Sequence, residues 1–542
     1  MKLENIENRF EATSDGKCAF AEGGMVATAF PEATQAGVEM LRKGGNAIDA
    51  ACAAALVLGV CEPQASGVGG QSMAILHTQG KTIAIDGSTR VPSLAHISHF
   101  MNGDRLLGYR ATTVPSTVTV LGYLNFHYGE LEWPEILQPA IRIAKEGYLI
   151  TRLQHDLQMR ELEKFFEIPS RSGARYFLKK GNRPYEVGER FVQSDLANLL
   201  QHLAEHGPHS FYRGKIARQI DEDMRANDGF LRKDDLALIP RPIERIPLKR
   251  RYRDIIVHTM PPPAAGRTLL LVLLMLNHLP SRFLRSGSPE SYHFIAETFR
   301  KAFLQRRERP YDPNTYPQIP EKKMINRAFA EELAKTIRDT IDAELPWLEP
   351  PMGAGDTTHL SVMDAQGNAI GITQSIELAY GSKAAANGLG FLYNNYMNAL
   401  ENKKPGHPFY LRPNAIPWTS VAPAIVFHKD TPWMVVGSPG SSRIYSAVSQ
   451  FLVHVIDGRQ PICEAMRRPR FHCSIGGTIS LEADRFDPEI IHYLADMGYK
   501  IDRRRPYSFY LGAIQAALRC KTRDGFQGVA EIRRDGMAAG LS

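Results

Sequence analysis

The stretch DTTHLSVMDAQGNAIGITQSIE, residues 356–377, decides the fold of this chain. Two runs rich in β-branched side chains flank a three-residue segment, Ala365-Gln366-Gly367. A three-residue loop that ends in glycine is typical of a hairpin built on a type I turn and a bulge. We therefore predict a β-hairpin over residues 358–376.

The register of this hairpin brings two hydroxyl side chains together. If the strands pair symmetrically about Gln366, then Thr357 and Ser375 lie at equal distances from the turn and face each other. A slip of one residue would separate them, because successive strand residues point to opposite faces. The hairpin alone leaves open an ordinary role in which Thr and Ser serve only β-propensity.

The peptide bond between Asp356 and Thr357 decides whether this threonine can react. An internal threonine is a poor nucleophile, but cleavage of that bond would give Thr357 a free α-amino group beside its hydroxyl. The unperturbed pKa of an α-amino group is roughly 7.7 to 8.0, so the amine can accept the hydroxyl proton near neutrality. One residue would then supply both nucleophile and base.

A second candidate element is the stretch VVGSPGSSRI, residues 435–444. It predicts a buried strand, a glycine-rich turn and a helix that begins near Ser441 or Ser442. Unpaired N–H groups at a helix start can bind the oxyanion of a tetrahedral intermediate or an anionic ligand. Thr419-Ser420 offers two further hydroxyl donors from a loop. Taken alone, each cluster also fits a purely structural turn.

Together with the first third of the chain, these segments resemble the gamma-glutamyltransferase family of N-terminal-nucleophile hydrolases. The resemblance covers nearly the whole chain and keeps the family's order. The matching segments are GMVAT (24–28), KGGNA (43–47), DAA (49–51), EPQASGVGG (62–70), MPPP (260–263), DTTH (356–359) and GSPG (437–440).

The resemblance implies an α/β fold, a four-layer αββα sandwich formed jointly by two chains cut from one precursor. It implies a large chain of residues 1–356 and a small chain of residues 357–542 that begins with the nucleophile and stays associated with the large one. The implied activity is transfer or hydrolysis of a gamma-glutamyl amide, such as that of glutathione, through an acyl-enzyme on Thr357. The partner is then a small-molecule amide.

The same matching implies roles for five more residues. Ser375 falls where the family has a threonine that hydrogen-bonds the nucleophile. Thr419 and Ser420 match a serine pair that contacts the donor's α-carboxylate. Gly440 and Ser441 match the glycine pair that forms the oxyanion hole.

Several positions depart from the family's pattern where it holds the charged groups of a glutamyl donor. Ala399 stands in place of an aspartate that binds the α-ammonium, and Ser88 in place of an arginine that binds the α-carboxylate. Glu377 replaces Asn or another small polar residue, and Tyr396 replaces Gln or Glu. Arg90 could reach the same carboxylate, and Glu377 could replace the missing aspartate.

These departures leave two further functions open. An amide hydrolase of other specificity, resembling the cephalosporin acylase or oxamate amidohydrolase relatives, is favoured by Ala399 and Ser88. A binding protein that keeps the fold but never matures is opposed by the intact DTTH motif and Ser375. The alternative for Glu377 is a solvent-facing strand position without a substrate role. The alternative for Arg90 is a charged residue on a surface loop.

Composition and charge limit the other functional classes to which the protein could belong. With 542 residues, 43% of them apolar, the chain suits one large α/β body. The net charge of +7 is modest, and clusters such as Arg306-Arg307 lack the aromatic spacing of a nucleic-acid module. We therefore assign these clusters to solvated faces and expect no nucleic-acid partner. Neither metal-ligand spacing nor a phosphate-binding loop is present, so we expect no metal and no cofactor.

The expected location is the cytoplasm. Residues 1–17 are polar and charged, and the longest apolar run, residues 269–276, is too short to span a bilayer. Six cysteines without a Cys-x-x-Cys pair indicate reduced thiols rather than a disulfide or zinc framework. We expect no membrane association.

Two segments lead up to the proposed cut. Residues 328–337 combine helix formers with apolar residues at helical spacing, which predicts an amphipathic helix. Residues 346–356 are rich in proline and glycine, which predicts a loop around the bond to be cleaved.

Overall fold

The computed structural model describes residues 4–100, 104–239, 241–308, 324–337 and 355–542. Its strands in chain order are β1 (Cys18–Ala21), β2 (Gly24–Thr28), β3 (Gln71–Thr78), β4 (Lys81–Gly87), β5 (Tyr148–Leu149), β6 (Arg190–Phe191), β7 (Ile243–Arg245), β8 (Leu248–Tyr252), β9 (Ile255–Thr259), β10 (Thr358–Asp364), β11 (Ala369–Ser375), β12 (Ala424–His428), β13 (Thr431–Gly437), β14 (Phe471–Cys473), β15 (Thr478–Glu482), β16 (Lys500–Arg504), β17 (Gln515–Arg519), β18 (Phe526–Ala530) and β19 (Met537–Leu541).

The α-helices are numbered here in the same way. They are α1 (Glu4–Glu7), α2 (Pro31–Arg42), α3 (Ala47–Cys61), α4 (Thr117–Tyr128), α5 (Trp133–Glu146), α6 (Arg152–Phe166), α7 (Ser172–Phe177), α8 (Ser194–His206), α9 (Lys215–Ala226), α10 (Lys233–Ala237), α11 (Gly266–Leu276), α12 (Ser281–Ser286), α13 (Pro289–Glu308), α14 (Arg327–Lys335), α15 (Ile444–Ile456), α16 (Ile462–Arg467) and α17 (Pro488–Asp496).

Two seven-stranded sheets form the centre of the described structure. The first has the strand order β1-β18-β17-β13-β12-β9-β8, and the second has the order β19-β2-β10-β11-β3-β4-β7. Neighbouring strands run antiparallel in the first sheet and in the second. Helices α11 and α15 pack on the first sheet, and α2 and α3 pack on the second.

Neighbouring residues of one strand face different cores. Val362 of β10 packs between the second sheet and its helices, while Met363 packs between the two sheets. In β13, Val436 lies in the core under the helices of the first sheet, while Val435 lies between the sheets. Most residues on both faces of these two central strands are buried, so their hydrophobic residues do not follow a strict alternation. The predicted four-layer αββα sandwich is confirmed.

The predicted hairpin is confirmed with its register. Strands β10 and β11 pair from Thr358 opposite Gln374 to Met363 opposite Ala369, which is symmetric about Gln366. The turn places Gly367 at φ 92°, a left-handed conformation that glycine adopts without steric cost. The amphipathic helix is also confirmed, as α14. Of the predicted loop, residues 346–354 lie outside the described residues.

The expectation about the cysteines is wrong for one pair. Cys18 of β1 and Cys463 of α16 form a disulfide between Cα atoms 6.0 Å apart, although 445 residues separate them in sequence. The other four cysteines are free and buried. Motif spacing detects only nearby cysteines, whereas this pair is brought together by the fold.

The cytoplasmic location stays a prediction. None of the described helices is both long and apolar enough to cross a membrane.

Candidate active site

A directed series of hydrogen bonds links Thr357 to the bond before it. The Thr357 hydroxyl donates to Ser375 Oγ over 3.1 Å, and the Ser375 hydroxyl donates to the carbonyl oxygen of Asp356 over 2.9 Å. The Glu377 N–H also donates to Ser375 Oγ, at 2.9 Å. The symmetric hairpin creates this arrangement, since it sets Ser375 opposite Thr357.

Asp356 is held by a buried ionic cluster that the sequence did not reveal. The guanidinium of Arg534 binds the Asp356 carboxylate and, over 3.2 Å, the carboxylate of Glu62. Glu62 in turn accepts a hydrogen bond from the Thr358 hydroxyl. Burial raises the pKa of Glu62 to about 7, although the charge of Arg534 opposes the rise. Glu62 lies in a segment that carried the family resemblance, whereas nothing in the sequence singled out Arg534.

Thr357 opens onto a cavity of about 560 Å³. A pocket of this size accommodates a small-molecule ligand. The lining includes, among the residues considered from the sequence, Glu377, Tyr396, Ala399, Thr419, Ser420 and Ser441. The structure thus brings most of the predicted site residues to one place.

Arg90 is the predicted residue that lies elsewhere. It lines a separate small crevice together with Asp86 and Ser88, and its backbone pairs with Val114. It does not line the cavity that contains Thr357. The geometry therefore does not support the interpretation in which Arg90 binds the donor's anion, because its side chain lines a different crevice from the one that contains Thr357.

The glycine-rich turn follows β13, as predicted. Gly440 has φ 127° and Ser441 has φ 53°, and a short 3₁₀ turn over Ser441–Arg443 leads into α15. Among the described residues no acceptor binds the backbone N–H of Gly440 or of Ser441. A Cβ atom on Gly355 would lie 2.7 Å from Cβ of Ser441, so this turn packs directly against the segment that carries the predicted cut.

Tyr396 is buried in the wall of the cavity. The side chains of Ser375, Gln71 and Thr419 lie near its hydroxyl group. Burial and the nearby Glu377 carboxylate raise the pKa of Tyr396, so it stays a neutral phenol at physiological pH. It therefore contributes an uncharged side chain to the cavity that contains Thr357.

Arg306 and Glu377 are two of the charged residues that line this cavity, and the position of Arg306 corrects an assignment made from the sequence. Arg306 of α13 was assigned to a solvated face but is only 8% exposed, while its neighbour Arg307 is exposed. Its guanidinium donates to the Thr419 carbonyl over 2.7 Å and to Ser420 Oγ over 3.2 Å. Burial, together with the charge of Arg267, lowers the pKa of Arg306 to about 10.

Glu377 is the second charged group. Burial raises the pKa of its carboxyl group to about 7, and the charge of Arg306 limits the rise. The solvent-facing strand position considered for Glu377 is therefore excluded, since the side chain lines the cavity. A carboxyl group of this pKa is ionised for half of the molecules at neutral pH.

The stacked sheets between helical layers, with Thr357 directly before a central strand and beside a cavity, define an N-terminal-nucleophile hydrolase. The chain belongs to the gamma-glutamyltranspeptidase family, whose model matches residues 33–541. It is accordingly an enzyme of this family and of the N-terminal-nucleophile hydrolase superfamily.

Individual relatives agree with this placement. The glutathione hydrolase proenzyme of Escherichia coli (strain K12) is 32% identical over 510 residues, which cover 89% of this chain and 86% of the relative. The Acylase ACY 1 proenzyme of Pseudomonas sp. (strain SE83) is 30% identical over 508 residues, 91% of this chain and 89% of that protein. The crystal structure of a cephalosporin acylase from Bacillus halodurans superposes with a TM-score of 0.88 at 28% identity and covers 97% of both chains.

Proposed function

We propose that this enzyme cuts its own chain between Asp356 and Thr357 and then transfers or hydrolyses the gamma-glutamyl group of amides such as glutathione. The observation that carries the proposal is the series of hydrogen bonds from the Thr357 hydroxyl through Ser375 to the Asp356 carbonyl. It places a nucleophile and a polarising donor at one peptide bond. The proenzymes among the relatives support the same conclusion.

In the self-cleavage, Thr357 Oγ attacks the carbonyl carbon of Asp356. The Ser375 hydroxyl stabilises the charge that develops on the carbonyl oxygen, because it already donates to that atom. The peptide C–N bond breaks as the nitrogen takes the hydroxyl proton, and water hydrolyses the resulting ester. The products are a large chain, residues 1–356, and a small chain, residues 357–542, with a free amine on Thr357.

In the catalytic cycle, that amine accepts the proton of Thr357 Oγ as the oxygen attacks the donor's amide carbonyl. The N–H groups of Gly440 and Ser441, which have no acceptor among the described residues, stabilise the oxyanion. The proton passes to the leaving amine, and an acyl-enzyme remains. Water or an acceptor amine then releases the acyl group.

Glu377 is the proposed partner of the donor's ammonium group. It lines the same cavity as Ala399, which stands at the position where the family has an aspartate. A carboxylate in the same cavity supplies the negative charge that Ala399 lacks. Thr419, Ser420 and Tyr396 form the polar wall that orients the rest of the donor.

A second candidate is an amide hydrolase of acylase type whose donor has no ammonium group. Ala399 favours it, because an apolar side chain in the cavity leaves room for an uncharged acyl chain. The similarity to Acylase ACY 1 and to the Bacillus halodurans cephalosporin acylase points in the same direction.

The test is the intact mass of the purified wild type and of Thr357→Ala, followed by an assay with gamma-glutamyl 4-nitroanilide. Two fragments that meet between Asp356 and Thr357, in the wild type only, together with anilide turnover, are the expected result. Thr357→Ser is the matched control and should retain slow cleavage, since it keeps a hydroxyl. Cleavage without turnover selects the acylase alternative, and an uncut wild type contradicts the proposal.

A further inference from the structure

Arg306 faces the cavity although it is buried. It lines the same cavity as Thr357, and its guanidinium packs against the aromatic face of Trp418 with 5.3 Å between the guanidinium carbon and the ring centroid. A guanidinium packed against an aromatic ring and held by hydrogen bonds has little rotamer freedom. The cation is therefore fixed in place before any ligand enters.

Within the described residues, Arg306 donates its hydrogen bonds to uncharged groups. They join two of its five N–H donors to the Thr419 carbonyl and the Ser420 hydroxyl. Among the described residues no carboxylate lies within ion-pair distance of this guanidinium. Glu377 acts on it only electrostatically from elsewhere in the cavity. A buried cation without a bound counter-ion is costly, so this site favours an anion.

The other cations in the cavity wall differ from Arg306. Arg504 is paired with Asp502 over 2.5 Å, and about a third of its side chain is exposed. Arg307 is exposed to solvent. Within the described residues, Arg306 is thus the buried cation that a ligand beside Thr357 meets, and its remaining N–H donors suit the two oxygens of a carboxylate.

We propose that Arg306 recognises a carboxylate on the acyl part of the donor, so the substrates are amides whose acyl group carries a free carboxylate. The residue is specificity-determining and lies on α13, in place of the arginine expected near residues 88–90. The inference rests on the proposed function, because it concerns donors of Thr357. It covers gamma-glutamyl donors and dicarboxylic acid monoamides alike.

The test compares two donors that differ only in this carboxylate: gamma-glutamyl 4-nitroanilide and its analogue with an α-carboxamide. The wild type should prefer the carboxylate donor. Arg306→Gln should lose that preference by roughly 100-fold, mainly through KM, because the site loses a charged hydrogen-bonding partner. Arg306→Lys should fall between the two. Arg282→Gln, an exposed arginine of α12, removes the same charge and should keep the wild-type preference.

Self-cleavage of each variant, measured by intact mass, shows whether it has folded and matured, independently of donor choice. If Arg306→Gln does not mature, the donor preference of Arg306→Lys is compared with that of the wild type instead.

Binding of glutarate and L-glutamate, measured by calorimetry on the mature proteins, gives a readout that needs no turnover. The wild type and Arg282→Gln should bind at least one of these acids with an affinity about ten times that of Arg306→Gln, or higher. An unchanged donor preference in Arg306→Gln, or a wild type that binds neither acid, overturns the proposal. A wild type that matures and binds either acid, yet turns over neither anilide, contradicts the gamma-glutamyl function alone.

Discussion

The Ser375 hydroxyl has a single proton, and its surroundings determine where that proton goes. A carbonyl oxygen can only accept, so Ser375 donates to Asp356 O and must accept from Thr357 and from the Glu377 N–H. One side chain therefore orients the nucleophile and polarises the bond that it attacks. This double role gives Ser375 more influence on self-cleavage than a β-strand serine ordinarily has.

Ser375→Ala should slow self-cleavage by roughly 100- to 1000-fold, the usual effect of losing one donor to a developing oxyanion. A time course of fragment formation on denaturing gels, starting from freshly purified precursor, measures the rate. Ser375→Thr keeps the hydroxyl and is the control, with a rate close to that of the wild type. Equal rates for the Ala and Thr variants would exclude the role proposed for Ser375.

Glu377 gives the donor preference a pH dependence. Burial raises the pKa of its carboxyl group to about 7, so it is mostly neutral below that pH and charged above it. The ratio of kcat/KM for gamma-glutamyl over glutaryl anilide should therefore rise roughly tenfold from about pH 6 to about pH 8. Titration of the Thr357 amine affects kcat/KM for both donors in the same way, so it does not change their ratio.

Glu377→Gln should make this ratio independent of pH and low throughout, since the amide stays neutral. The measurement is the pH profile of both donors for both proteins. A ratio that rises equally in the variant would show that another group binds the ammonium.

The residues of the site differ in how far the sequence could predict them. Thr357 and Ser375 were predicted as a pair because both lie in one hairpin, whose short loop fixes the register. Arg534 and Arg306 were not predicted, since each meets its partners across more than 100 residues of chain. Local patterns contain no information on such contacts, and Arg90 was chosen because it lies close to the expected position in sequence.

At the scale of elements, the two sheets are in close contact where Gly437 of β13 faces His359 of β10. A Cβ atom on Gly437 would overlap the imidazole ring. The ring cannot move aside freely, because it forms hydrogen bonds with Thr373 and Ser361. Burial lowers the pKa of His359 to about 3, so the ring is neutral between the sheets. Glycine at 437 thus sets the spacing that keeps β10, and Thr357 before it, in place.

Gly437→Ala should destabilise the protein by about 1–3 kcal/mol, the usual cost of overpacking a core. Urea unfolding in a Thr357→Ala background, where the chain is expected to stay in one piece, measures the change. Gly406→Ala is the control, because a Cβ atom there meets nothing within 4 Å, and it should change stability by less than about 0.5 kcal/mol. A similar effect of the two substitutions would contradict this account of the sheet contact.

For the molecule as a whole, strands from both sides of the proposed cut alternate within each sheet. Strand β2 lies between β19 and β10, and β9 pairs with β12. Separation of the fragments would therefore break sheet hydrogen bonds and expose all three cores. The family resemblance implied the layers, but the sequence did not reveal this interleaving, because strand order depends on contacts between distant segments.

The fragments should stay together after the cut even without the disulfide. Cys18→Ser should elute from size exclusion as one species at the volume of the mature wild type, in the presence or absence of reductant. In urea without reductant, the wild type should stay one covalent species while Cys18→Ser separates into two. Separation of the variant in plain buffer would show that the interleaved sheets are insufficient to hold the fragments.

The bond between Cys18 and Cys463 joins residues on the two sides of that cut. While it is intact, the encounter of the fragments is intramolecular, and dilution has no effect on it. Reduction turns the same association into a bimolecular equilibrium that depends on concentration. The lifetime of the mature enzyme in dilute solution then depends on the thiol balance of its surroundings.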